Sequence, residues 1–182
     1  MAGLWRSYLR VLDKYPVTTM CSTTGTLMAA GDAISQLAIE GNTIKKYDTV
    51  RSGRFFVLGF CAIGPMMRFW YLALHKMYHG TKYAPLKMLV TDQTVGAPVV
   101  LGTFVVGIGA LRGDSRQQIK ESIKRDYLTI MLNNYKIWPA AQTINFFFMP
   151  LQHRVLFVNF IALGWNTYLA WITERKPEPE SE

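Results

Sequence analysis

The sequence predicts an all-α integral membrane protein with four transmembrane helices, a short proline-bracketed apolar segment and amphipathic surface helices. Two observations support this fold class. Residues 155–173 contain no charged side chain, and an uncharged apolar run of about 18 residues or more can cross the hydrocarbon core as a helix. The charged residues elsewhere collect in five clusters that are separated by long, mostly uncharged stretches. Such a pattern is typical of spans joined by short loops.

The four spans are predicted at residues 17–39, 55–74, 89–111 and 155–173, within a single helical membrane domain of residues 1–176. The acidic residues 177–182 are predicted to form a disordered tail. The apolar residues 137–149 are bracketed by Pro139 and Pro150 and are too short to cross a bilayer at about 1.5 Å per residue. They predict an interfacial, broken or re-entrant helix before the last span.

Two further segments have the amphipathic pattern of a helix. Residues 4–14 have an apolar face and a basic face, which suits a helix in the membrane interface and also resembles an organelle-targeting sequence. Residues 115–134 place Ile119 and Ile123 opposite Lys120 and Lys124, which predicts a helix along the membrane surface. The net charge of +8 is spread over these segments and the short loops. We therefore expect a lipid bilayer as partner and no direct binding of nucleic acid.

Small residues and prolines predict where the helices approach and bend. Gly25, Ala29 and Ala33 recur every fourth residue of the first span, a stripe that allows two helices to pack closely. Gly64-Pro65 lies in the middle of the second span and Pro98 in the middle of the third. Because proline removes a backbone donor, these residues predict helix kinks that free carbonyl groups.

The ionisable residues inside the spans, Asp32, Arg68 and Asp92, are the best candidates for a functional site, together with Gln36 and Gln93. Charges within a membrane are costly, so they pair with one another or line a wet cavity. One arginine and two aspartates on three helices predict a polar cluster in the bundle. Two interpretations are equally open: the cluster lines a pore, or it is an interhelical salt bridge that fixes the fold. Asp32 near the interface is a further alternative.

Other polar residues predict structural roles or none. Gln142, Asn145 and Asn166 are expected to bridge helices by hydrogen bonds, and Trp138 and Trp165 to anchor and pack. Cys21 and Cys61 are expected to behave as small apolar residues, and the sequence does not say whether they approach each other. No spacing of His, Cys, Asp and Glu matches a metal site, and no catalytic or nucleotide-binding motif is present. We therefore expect no metal, no cofactor and no enzyme activity.

These residues also carry a family resemblance. The C-terminal motif comprises Asn134-Tyr135, Trp138-Pro139, Gln142, Asn145-Phe146, Pro150, Arg154, Trp165-Asn166 and Tyr168-Leu169. Matching positions upstream are Trp5, Tyr8, Tyr15-Pro16, Gly31-Asp32, Gln36, Gly64-Pro65, Trp70-Tyr71, Asp92-Gln93 and Pro98. Over nearly its whole length the chain resembles the Mpv-seventeen and peroxisomal-membrane-protein family of small four-span proteins. Leu4-Trp5-Arg6 and the short chain resemble the mitochondrial members.

The resemblance implies a weakly selective channel for small solutes or ions in the mitochondrial inner membrane. Such a channel would support membrane potential, reactive-oxygen balance and mitochondrial DNA maintenance. One chain of four helices is narrow, so a wide pore implies a homo-oligomer. Two alternatives stay open: a non-conducting membrane organiser or chaperone-like interaction protein, and a peroxisomal location.

Overall fold

The computed structural model describes residues 2–149 and 154–175, and the regular elements in this part of the chain are all helical. The α-helices are α1 (Ala2–Lys14), α2 (Pro16–Ile34), α3 (Thr49–Leu58), α4 (Gly64–Tyr78), α5 (Ala84–Thr91), α6 (Ala97–Arg112), α7 (Arg116–Phe147) and α8 (Arg154–Glu174). Three π-helical turns, Ser35–Ile39, Gly59–Ile63 and Asp92–Gly96, extend α2, join α3 to α4 and join α5 to α6. A 3-10 turn, Ile44–Lys46, lies in the loop before α3. The predicted all-α class is confirmed.

Three helices of the described residues are long and apolar enough to cross a membrane: Thr49–Tyr78, Ala84–Arg112 and Leu156–Glu174. They contain or closely overlap the spans predicted at 55–74, 89–111 and 155–173. The predicted span at 17–39 is also helical, as α2 and its π turn, but its many Ser and Thr side chains make it more polar. Pro150 and the tail at 177–182 lie outside the described residues.

Each mid-span proline follows a π-helical turn in the same register. The turn Gly59–Ile63 ends two residues before Pro65, and the turn Asp92–Gly96 ends two residues before Pro98. Proline has no N–H and its ring crowds the carbonyl of the preceding turn, so the wider π turn relieves the clash at that point. The α-helical ladder is thus interrupted where the sequence predicts that the prolines disturb it.

Helix α7 differs from the sequence prediction. It is one helix of 32 residues with Pro139 inside it. The helix predicted at 115–134 is therefore confirmed as a helix, but its predicted separation from the apolar segment at 137–149 is wrong. Helix α7 runs antiparallel to α6: Ile119 lies against Gly109, and the Tyr127 hydroxyl donates to the Pro98 carbonyl at 3.1 Å. Its apolar face is therefore buried by a neighbouring helix, which amphipathicity alone does not distinguish from burial in lipid.

Close helix contacts hold α2 at the centre of the bundle, where it packs against α3, α4 and α8. A Cβ on Gly59 would lie 2.7 Å from the Gly25 Cα, so the two backbones approach at glycine. The predicted small-residue stripe is thus in contact at Gly25. The buried core is completed by large apolar side chains from five helices, among them Phe55, Leu101, Phe104, Ile130 and Trp165.

Candidate functional site

The Asp32 carboxylate is fully buried and neutralised by Arg51. Arg51 Nε lies 2.7 Å from Asp32 Oδ1, and the other oxygen, Oδ2, accepts hydrogen bonds from Ser52 Oγ at 2.6 Å and Gln36 Nε2 at 2.8 Å. The two terminal nitrogens of Arg51 form a fork on Glu40, with distances of 2.7 and 2.6 Å. A buried charge is tolerated when it is both paired and hydrogen-bonded, as Asp32 is here.

Gln36 joins the end of α2 to the start of α3. Its Nε2 donates to the Asp48 carbonyl at 3.0 Å, and its Oε1 accepts from the Asp48 N–H at 2.8 Å. Asp48 in turn caps α3 by accepting from the Arg51 N–H at 2.9 Å. Gln36 is therefore fully engaged in closing the α2–α3 hairpin, which supports the structural interpretation for this member of the predicted set.

The hydrogen bond from Arg51 is the main cause that holds the pKa of Glu40 below its usual value; burial acts in the opposite direction and donation by Ser35 lowers it further. A carboxyl group whose pKa is lowered on folding stabilises the fold above its unfolded pKa and loses that contribution as pH falls through the folded pKa. We therefore expect the thermal midpoint of the detergent-solubilised protein to decline as pH falls below about 4.5. Glu40→Gln should flatten this decline while lowering the midpoint at pH 7, and an unchanged profile would contradict the assignment.

Asp92 lies at the start of the second proline-linked π turn and is held by neutral donors. Trp70 Nε1 donates to its Oδ1 at 2.8 Å, and Gln93 Nε2 is 3.3 Å from its Oδ2. Asn134 Nδ2 donates to Gln93 Oε1 at 3.0 Å. Gly96 permits this arrangement, because a Cβ there would collide with the Trp70 indole. A line of hydrogen bonds thus joins α4, the π turn and α7.

The Gln93 carbonyl is satisfied in an unusual way. In this π turn the Ala97 N–H bonds to the Asp92 carbonyl, five residues back. The next amide in that register would be residue 98, which is proline and has no N–H. The Tyr135 hydroxyl takes its place and donates to the Gln93 carbonyl at 3.1 Å. Tyr135 therefore supplies the hydrogen bond that Pro98 removes.

Arg68 lies apart from Asp32. Its Nη1 donates to Met20 Sδ at 3.6 Å, and Met20 precedes Asp32 by roughly 18 Å along α2. In the described part of the chain, neither Arg68 nor Asp92 forms an ion pair. The structure does not bring the three charges together as the sequence predicts: Asp32 lies at the α2–α3 loop end, whereas Arg68 and Asp92 lie around α4 in the other half of the bundle.

With this geometry established, comparison with known proteins identifies the family. The family model described as Mpv17 / PMP22 family matches residues 109–170. A Xenopus laevis protein named Mitochondrial inner membrane protein Mpv17 is 42% identical over 94% of this chain and 97% of its own length. The protein of the same name from Homo sapiens is 38% identical over 95% and 99%, and Protein SYM1 of Gibberella zeae is 34% identical over 96% and 100%.

The chain belongs to the Mpv17 / PMP22 family. It is a protein of the mitochondrial inner membrane, the location stated in the names of its relatives. No solved structure matches the chain.

The C-terminal motif that carries the family resemblance forms an aromatic ladder. Trp138 meets Trp165 edge-on at a centroid distance of 6.5 Å, and Tyr168 follows at 5.3 Å from Trp165. Pro139 lies inside α7, and the hydroxyl of Thr143 donates to its carbonyl at 2.8 Å. These contacts position the motif to pack α7 against α8.

The polar residues of the motif contribute less than predicted. Gln142 and Asn166 make no side-chain hydrogen bond within residues 2–149 and 154–175, and the buried Asn145 Oδ1 has no partner there. The Asn166 backbone instead packs against Gly31. Arg154 Nε donates to the Met149 carbonyl at 3.1 Å. The predicted amide bridges are therefore not seen in this part of the family fold.

Two groups of ion pairs, one around Arg112 and one around Asp126, were not predicted from the sequence. Arg112 binds Asp114 at 2.6 Å and Glu174 at 3.0 Å, which joins the end of α6 to the end of α8. Asp126 is fully buried on α7 and pairs with Arg125 at 2.7 Å. The sequence does contain a pattern that could have indicated the polar cluster around Asp32, because Asp32, Ser35 and Gln36 share one helical face. Asp126 gave none, since charged residues flank it.

Cys21 is buried and Cys61 is exposed, and both are free thiols. Cys21 lies against Gly64, where an added Cβ would come within 2.8 Å of the Cys21 Cα. The buried Cys21 therefore packs as a small apolar residue at a close contact between α2 and α4, as the sequence predicts for it.

Proposed function

We propose that this member of the family is a weakly selective channel for small solutes or ions, built on four membrane spans, and not an enzyme. In this proposal it supports membrane potential, reactive-oxygen balance and mitochondrial DNA maintenance, the roles that the family resemblance implies. The fourth span is α2 with its π turn. At about 1.5 Å per residue, residues 16–39 extend roughly 36 Å, enough to cross the hydrocarbon core.

The proposal rests on one observation: of three charged residues in the spans, one has a counter-ion and two have none among the described residues. Asp32 has a counter-ion in Arg51 and so acts structurally. Asp92 and Arg68 lie on two apolar spans, and the described residues show no ion pair for either. An intramembrane charge without a counter-ion is far less costly when it borders water. We place the conducting path beside these two residues.

The same region supplies a means of opening and closing. Asp92 and the Gln93 carbonyl both belong to a π turn, whose hydrogen bonds are shared with side chains of α4 and α7. Exchange of side-chain partners at such a turn changes the helix direction without breaking a full α-helical ladder. In the proposal, the proline-linked turns before Pro65 and Pro98 are the gating elements.

Side chains such as Phe55 and Phe104 fill the centre of one chain. The path therefore runs along the Asp92 side of the bundle. A homo-oligomer widens it there by adding a second wall.

The test is single-channel recording of the purified protein in a planar bilayer. Asp92→Asn removes an anion from the path, so we expect the permeability ratio of K⁺ to Cl⁻ to fall by about fivefold, and Arg68→Gln to raise it by a similar factor. A fivefold change corresponds to about 1 kcal/mol of local interaction between the ion and one fixed charge. The measurement is the reversal potential in a KCl gradient.

Exposed charges just beyond the predicted spans 17–39 and 55–74 provide the matched controls. Asp13→Asn in α1 removes an anion and Lys76→Gln near the end of α4 removes a cation, both at exposed positions. Both variants should leave the permeability ratio unchanged. If neither Asp92→Asn nor Arg68→Gln changes the permeability ratio, the conducting path does not run beside these residues. A folded, reconstituted protein that gives no discrete conductance across voltage and pH overturns the channel and leaves the non-conducting organiser.

A further inference from the structure

A groove of about 550 Å³ lies in the angle between α1 and α2. On the α2 side it is lined by five hydroxyl-bearing residues, Thr18, Thr19, Ser22, Thr23 and Thr26. A second hollow of about 370 Å³, lined in part by Ser7, Arg10 and Lys14, shares Val11 and Tyr15 with the first. The two hollows therefore adjoin at Val11 and Tyr15, with basic side chains on the α1 side and a hydroxyl-bearing, largely apolar surface along α2.

Specific contacts hold α1 in the position that forms this groove. The Tyr8 and Thr23 hydroxyls are 3.2 Å apart, so the middle of α1 is tied to the middle of α2. Thr19 Oγ1 donates to the Tyr15 carbonyl at 2.7 Å and lies 3.3 Å from the Val11 carbonyl, which fixes the corner between the two helices. The groove is thus defined by hydrogen bonds and not only by the absence of a neighbour.

The basic end has two cations that no carboxylate neutralises in the described residues. Arg10 Nη2 donates to Ser7 Oγ at 3.1 Å, and Lys14 Nζ lies 5.2 Å from the centre of the Tyr15 ring. Both side chains have further N–H donors besides those in these contacts. An ammonium and a guanidinium one helical turn apart suit a phosphate group, because each can donate to a different phosphate oxygen.

We propose that this groove binds an anionic glycerophospholipid, with the phosphate at Arg10 and Lys14 and one acyl chain along α2. From Tyr15 to Leu27 the groove follows α2 for roughly 18 Å, which is close to the length of an extended acyl chain. Hydroxyls near the corner can donate to the ester carbonyls of the lipid. The site does not depend on whether the protein conducts ions.

The experiment is native mass spectrometry of the detergent-solubilised full chain with added phosphatidylglycerol or phosphatidylcholine of identical acyl chains. We expect phosphatidylglycerol to bind more tightly, and the double variant Arg10→Gln/Lys14→Gln to weaken it by about tenfold with little change for phosphatidylcholine. Ser22→Phe fills the groove and should weaken both lipids. The controls are Lys45→Gln/Lys46→Gln, which removes two exposed cations from another loop, and Val99→Phe at an exposed position on α6.

The outcomes separate the alternatives. Equal binding of the two lipids to the wild type, or unchanged phosphatidylglycerol binding to either site variant, overturns the proposal. Glycerol 3-phosphate serves as the soluble headgroup; competition at the same concentration as the lipid would show that the acyl groove contributes nothing and would also overturn it. Thermal midpoints of all variants check that loss of binding is not loss of fold.

Discussion

Replacing Arg51 by Gln is expected to destabilise the protein by about 3–5 kcal/mol, because it leaves the fully buried Asp32 carboxylate without a counter-ion. The substitution also removes the fork that holds Glu40. The remaining donors to Asp32, Ser52 and Gln36, are neutral and cannot offset the lost charge. The measurement is the thermal or SDS-induced unfolding of the detergent-solubilised protein.

Arg54→Gln is the matched control for this prediction. Arg54 lies one turn further along α3 and forms no ion pair within the described part of the chain, so its replacement should change stability by less than about 1 kcal/mol. The double variant Arg51→Gln/Asp32→Asn removes both charges and should recover part of the loss. If Arg51→Gln cost no more than Arg54→Gln, the buried pair would have no structural importance.

The second large effect is expected for Gly31→Ala. A Cβ at this position would lie 2.7 Å from the Asn166 Cβ and 2.8 Å from the Thr167 backbone nitrogen. These atoms belong to the α8 backbone or are attached directly to it, so the clash cannot be relieved by a side-chain rotation. We expect α2 and α8 to separate and the free energy of unfolding to fall by about 1–3 kcal/mol, although alanine favours a helix.

Gly164→Ala isolates the effect of helix propensity from that of the clash. Gly164 is in α8, and an added Cβ there has no neighbour within 4 Å. This variant should therefore gain up to about 1 kcal/mol of stability from the better helix former. If both variants shifted the unfolding midpoint in the same direction, the close approach of α2 and α8 would not explain the glycine at position 31.

The spans were predictable because apolar length and charge exclusion act locally along the chain. Residues 55–74 and 89–111 are long and apolar with a single charged residue each, and their helices are found with extended ends. The course of helix α7 was not predictable in the same way. Pro139 predicts that the helix is interrupted, and the charges before Tyr127 predict that it lies on the membrane surface. Its course depends on contacts that are distant in sequence, with α6 at Pro98 and with the π turn before α6 at Gln93. Packing against other helices therefore keeps α7 continuous where the local sequence predicts a break.

The candidate site was predictable by residue type but not by partner. Asp32, Arg68 and Asp92 stand out because charges are rare in apolar stretches, whereas the choice among partners depends on helix rotation. Arg51 lies between the predicted spans 17–39 and 55–74, and in the structure it is the partner of Asp32. Trp70, which the sequence marks only as a position that matches the family, donates to Asp92. A π turn also shifts the face of every later residue, which a constant helical period misses.

The Asp32–Arg51 pair has a consequence for how the chain enters the bilayer during biogenesis. The acidic residue and its counter-ion belong to consecutive helices, so Asp32 has a cation beside it as soon as the loop between α2 and α3 has closed. An aspartate inserted alone would add about 2.5–3.5 kcal/mol to the insertion free energy. Arg112 and Glu174, by contrast, are 62 residues apart and meet only when the last helix arrives. We therefore expect α2 and α3 to enter the membrane together as a hairpin. We expect the ion pair between Arg112 and Glu174 to form later, when α8 packs against the helices already inserted.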